Sequence, residues 1–141
     1  MSTIKVDTIQ KNGGASEISI DKLGGVTAAG SMIVVGEGGS TTTNLQQGLA
    51  KAWSRTLADG SGIEDSFNIG SLTDSATGKQ FHTFTNAMNN DDYASQTSVT
   101  NNNIDQQWTD SQTTTVCRTL AFHDSAYVDV KQSLVIMGDL A

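Results

Sequence analysis

Residues 113–122 read Thr113-Thr114-Thr115-Val116-Cys117-Arg118-Thr119-Leu120-Ala121-Phe122, and this stretch decides the fold class. From Thr115 to Leu120 the side chains alternate in character, which is the period-two pattern of a half-buried strand. His123-Asp124-Ser125 then supplies turn chemistry, and a second apolar-rich run follows from Tyr127 to Met137. Working backward, similar runs occur at Ala52–Leu57, Ser66–Leu72, Gln80–Thr85 and Tyr93–Thr100. Between them lie Asp59-Gly60-Ser61-Gly62, Ser75-Ala76-Thr77-Gly78, Asn89–Asp92 and the long segment Asn101–Ser111. Short strands at this spacing predict a mainly β chain whose residues 54–141 form an antiparallel β-sandwich or jelly-roll-like domain.

Upstream, the pattern changes. Leu45, Leu49 and Trp53 recur every four residues behind the capping candidates Ser40–Asn44, which predicts a short helix over residues 44–53. Before it, Met32-Ile33-Val34-Val35 lies between Gly30 and Gly36-Glu37-Gly38-Gly39 and reads as a buried strand. Residues Ser2–Gln10 place Ile4, Val6 and Ile9 against Lys5 and Asp7, and Glu17–Asp21 alternates again after the turn Asn12-Gly13-Gly14. Residues 1–43 hold too few large apolar side chains to fold alone, so they are expected to form an extended arm lying on neighbouring copies or on a larger particle.

Composition points the same way. Hydrophobic residues make up 36% of the 141, aromatics 6% and charged residues 16%. An average domain is roughly 45–50% apolar with glycine counted, so association that buries further apolar surface is expected. A net charge of −7 and an isoelectric point near 4.4 disfavour nucleic acid and anionic membranes. No run approaches the roughly 20 apolar residues of a membrane span, and the first residues show no apolar signal region. Cys117 is the single cysteine and reads as a small buried hydrophobe. The absence of proline argues against a stiff linker.

The chemical motifs are weak. Gly36-Glu37-Gly38-Gly39-Ser40-Thr41 lacks the Gly-Lys-Ser/Thr ending of a phosphate loop and carries Glu37 where an anion would sit. His82 and His123 fall in or beside different strands without a nucleophile-elbow motif. The carboxylates are scattered, and Asn89-Asn90-Asp91-Asp92 reads as a solvated turn because it lacks the alternate-residue oxygens of a calcium loop. No catalytic residue, metal ligand or cofactor is expected. One segment does suggest recognition: in Asn101–Asp110, Trp108 sits among amides and carboxylates, the combination that stacks on a sugar ring. Trp108, Asn102 and Gln107 are the candidate receptor contacts, although a tryptophan in a small domain is also a common core residue.

Two groups of residues carry a resemblance. Met1-Ser2-Thr3-Ile4-Lys5-Val6-Asp7-Thr8-Ile9-Gln10 resembles the opening of tail-fibre proteins of marine bacteriophages. Gly48–Trp53, Glu64–Ile69, Ser71–Asp74 through Gly78, Gln80–Thr85, Ala87-Met88 and Asp92-Tyr93 are similar, in the same order, to motifs of a phage β domain. Asn89 stands where that family usually has proline, Lys79-Gln80 replaces an acidic turn, and nothing after Asn101 matches. The resemblance implies a virion fibre or adaptor, commonly trimeric, with the arm docked to the particle and the β domain outward. Together with the small apolar content, the expectation is a homotrimeric short tail fibre, assembled in the host cytoplasm and resident in the virion. Its arm, around Ile4, Val6 and Ile9, would attach to tail, neck or baseplate proteins. Leu45, Leu49 and Trp53 would pack about the threefold axis, and the β domains would meet bacterial surface polysaccharide or protein. The alternatives are a head or neck fibre or capsid decoration protein without receptor binding, and a small polysaccharide depolymerase.

Overall fold

A computed structural model describes residues 32–35, 41–100 and 104–141. Ile4, Val6, Ile9 and Asn102 lie outside the described residues, as do the expected strands at Ser2–Gln10 and Glu17–Asp21.

The described chain is mainly β, with antiparallel sheets and almost no helix. Strands β1 (Ile33–Val35) and β2 (Thr42–Asn44) pair as a small sheet, followed by α1 (Leu45–Gly48). Then come β3 (Ala50–Thr56), β4 (Ile63–Phe67), β5 (Ile69–Ala76), β6 (Lys79–Phe84), β7 (Ala94–Val99) and β8 (Gln106–Asp110). The last three are β9 (Val116–His123), β10 (Ala126–Tyr127) and β11 (Gln132–Met137). A four-stranded sheet has the order β4-β3-β11-β7. In a five-stranded sheet β9 is central, with β8 along one side and β6 on the other; β5 lies beyond β6, and the short β10 pairs with the end of β9.

Several expectations change: the single run Ser66–Leu72 is divided at Asn68 between β4 and β5 of different sheets, and the run Tyr127–Met137 is divided between β10 and β11. The helix forecast over residues 44–53 covers only Leu45–Gly48, because Ala50 already pairs with Met137 and Trp53 pairs with both Val135 and Phe67. An apolar residue every fourth position fits a strand as well as a helix when the intervening residues are small or can face a core. The run Met32–Val35, expected to be buried, leaves Ile33, Val34 and Val35 exposed. The segment Asn101–Ser111, expected to be a loop, contains β8.

Residues with special backbone chemistry set the boundaries. Asn68 adopts a positive φ of 57° and separates β4 of one sheet from β5 of the other. Its amide fixes the crossing by donating to Lys51 O and Asn86 O and accepting from Asn86 N–H. Asp124 and Ser125 both have positive φ, the conformation that a two-residue hairpin turn between β9 and β10 demands.

Ala52, Leu134 and Ile136 from the four-stranded sheet meet Ile69, Phe84 and Cys117 from the five-stranded one, with Met88 and Tyr93 completing the apolar cluster. Toward the other end the interior turns polar. Ser54 Oγ and Thr119 Oγ1 bind the two nitrogens of His82, and Thr56 Oγ1 donates to Gln80 Oε1 at 2.6 Å. All five of these side chains are buried. Hydrogen bonds therefore connect the sheets where most proteins of this size would use methyl groups.

Candidate recognition face

The five-stranded sheet has one face turned to the core and one turned outward. Cross-strand partners share a face, so the register assigns the outward side chains. Trp108 and Lys79 both pair with Leu120, Gln106 and Tyr127 both pair with Phe122, and Asp110 and Phe81 both pair with Arg118. One surface thus collects Phe81, Trp108, Phe122 and Tyr127 from β6, β8, β9 and β10.

Its rings pack as a cluster. Phe122 and Tyr127 meet edge to face with centroids 5.3 Å apart, Trp108 and Tyr127 lie 6.1 Å apart, and Trp108 and Phe122 lie 6.4 Å apart. Leu120 is buried although it points outward, as expected beneath such a roof. The rings themselves remain half-exposed.

Charge borders the rings. Lys79 Nζ sits 3.8 Å from the Tyr127 centroid, and the Arg118 guanidinium lies 5.1 Å from that of Phe81. Arg118 also grips Asp110 in a bidentate ion pair, with Nε and Nη2 each 2.6 Å from a carboxylate oxygen. That contact holds the Asp110 carboxyl below the usual carboxylate range. Aromatic rings beside a fixed cation and anion, with the Gln106 amide on the same face, suit a hydroxyl-rich ligand that offers C–H groups to the rings and hydroxyls to the border.

The structure separates two of the candidate contacts. Trp108 belongs to this outward face, whereas Gln107 pairs with Ala121 and points to the opposite side, because successive strand residues alternate. The Gln107 Nε2 is buried without a hydrogen-bond partner. Leu45 and Leu49 are exposed, and Trp53 lies on the outer face of the other sheet. Phe122, Tyr127, Lys79 and Arg118 were not singled out from sequence. The available signal was the parity of residues 116–122, where Arg118, Leu120 and Phe122 alternate with Cys117, Thr119 and Ala121.

Two other clusters have catalytic or metal-binding atoms. Ser54, His82 and Thr119 form a hydrogen-bonded row in which all three side chains are buried, and the Ser54–His82 bond links the two sheets as an internal clasp. Asp105, His123 and Asp124 bring ligand atoms within 4.8 Å of one another at the β9–β10 hairpin. The Asp105 carboxylate there accepts the Asp124 N–H at 2.8 Å, which ties the hairpin tip to the start of β8. Among the described residues no helix is long and apolar enough to cross a membrane.

Compared with known proteins, the chain matches no family model, no curated protein and no solved structure.

Proposed function

We propose that this chain is a non-enzymatic structural component of a phage virion: a short, homotrimeric tail fibre whose β domains present the Trp108 face to the host surface. The ligand class is bacterial surface polysaccharide, and the N-terminal arm around Ile4, Val6 and Ile9 attaches to the particle. The similarity of residues 1–10 and 48–93 to phage fibre proteins supports the virion setting. The observation that carries the reading is where the aromatic side chains lie. Only Phe84 and Tyr93 are buried, while Trp53, Phe67, Phe81, Trp108, Phe122 and Tyr127 occupy outward positions above an interior partly filled by Thr, Gln, Ser and His. A solitary domain gains most by placing such rings inside. A protein built to be covered by ligands and by sister chains places them outside.

The test combines location with adsorption. Antibody-labelled electron microscopy of particles carrying the chain is expected to mark the tail, and particles lacking it should adsorb at least about 10-fold more slowly. Label on the capsid, with normal adsorption and fragile particles, would instead establish a decoration protein. Sugar release from host polysaccharide by the purified chain would make it a depolymerase.

A further inference from the structure

We propose that the outer face of the β4-β3-β11-β7 sheet is the surface through which copies of this chain associate, with Trp53 at its centre. This deepens the multimeric reading above and rests on it for the number of copies.

The register writes the face row by row. Phe67, Trp53, Val135 and Gln96 form one row across the four strands, since Trp53 pairs with Phe67 and Val135, and Val135 pairs with Gln96. Beyond it, Met137 pairs with Ala50 and Ala94, and Leu49 immediately precedes Ala50. Phe67 is 52% exposed, Met137 44% and Leu49 52%. On the other side of the Trp53 row lie Asp65, Arg55, Ser133 and Ser98. The face is therefore apolar from its middle to one end and polar at the other.

Two properties favour a second copy as occupant. The first is charge: the chain carries −7, yet this face is locally balanced. Arg55 and Lys131 both bond Glu64, and Asp65 lies opposite Arg55, so copies can meet here without concentrating like charges. The second is size. Four strands roughly 4.8 Å apart and six residues at roughly 3.3 Å each give a footprint of roughly 400 Å². That is about half of the roughly 800 Å² that each partner buries in a standard interface, so this face can supply a substantial share of one. The small outward side chains Ala94, Ser98 and Ser133 leave room for the projecting Phe67 and Met137 of a neighbour.

Sedimentation of the full chain tests the proposal. The wild type is expected to form a defined multimer at micromolar concentration. The double variant Phe67→Asp with Met137→Asp should weaken association at least about 100-fold, to a 14.8 kDa monomer with an unchanged circular dichroism spectrum. Gln96→Arg, at an exposed position in the Trp53 row, provides an independent variant and should act in the same direction. A wild-type monomer at tens of micromolar would overturn both this face and the multimeric reading. A multimer that folded variants leave intact would overturn the face alone.

Discussion

Ser54 and His82 stand on opposite sheets, and a 2.9 Å hydrogen bond between Ser54 Oγ and His82 Nδ1 joins those sheets through the interior. The second ring nitrogen lies 3.0 Å from Thr119 Oγ1, so both are held by hydroxyls and neither by a carboxylate. Burial pushes the His82 pKa down to about 4 from an ordinary 6.5. The unfolded chain takes up a proton in that interval and the folded chain resists it. Stability is therefore full above pH 6.5 and declines by about 3 kcal/mol as pH falls to about 4. Urea unfolding at pH 7 and pH 4.5 should show most of this loss in the wild type and little of it in His82→Gln. Parallel pH dependence in the two proteins would refute the assignment.

A second interior contact predicts an effect independent of pH. Thr56 Oγ1 donates to Gln80 Oε1, accepts from Gln132 N–H at 3.3 Å, and is buried. Thr56→Val preserves shape while leaving the Gln80 acceptor without this donor. The expected cost is about 2 kcal/mol, the scale of one unsatisfied buried polar group. Chemical denaturation at pH 7 measures it, and a shift below about 0.5 kcal/mol would mean that water replaces the hydroxyl.

Much of the strand pattern could be read from the sequence, because alternation and turn residues are local properties. Gln80–Thr85 and Tyr93–Thr100 fall within a residue or so of β6 and β7. What local pattern could not decide were the segments that look helical or loop-like by themselves and become strands only through their pairing. Trp53 takes its conformation from Val135, and Trp108 takes its from Leu120, while the residues between Asn101 and Asp110 look locally like a loop. The candidate recognition face was legible only as Trp108 alone. Its neighbours Phe122 and Tyr127 become neighbours through pairing that no short window encodes.

Gly78 predicts the sharpest backbone sensitivity. Its φ is +68°, and an added Cβ would stand 2.7 Å from Ala121 O, Val128 N and Val128 O, all of them backbone atoms that cannot swing aside. Gly78→Ala should destabilise the fold by more than about 2 kcal/mol, combining left-handed strain with steric conflict. Gly62→Ala is the control, since its nearest neighbour would be Leu57 Cδ1 at 3.6 Å. Thermal melting of both variants reads the contrast, and equal melting temperatures would show that the β6–β9–β10 junction relaxes.

Trp108 and Gln107 are adjacent in sequence and belong to opposite faces of β8, so alanine at each should have a separate signature. Trp108→Ala removes the ring that pairs with Leu120 beside Phe122 and Tyr127, and binding to host-surface polysaccharide should weaken at least about 30-fold. Gln107→Ala leaves that face intact and should bind as the wild type does. Because Gln107 Nε2 is buried without a partner, Gln107→Leu should be neutral or slightly stabilising, as removing an unsatisfied donor lowers a desolvation cost. Fluorescence titration together with melting distinguishes the two roles. Equal loss of binding in both alanine variants would mean that ligand contact depends on the integrity of β8 rather than on the outward rings.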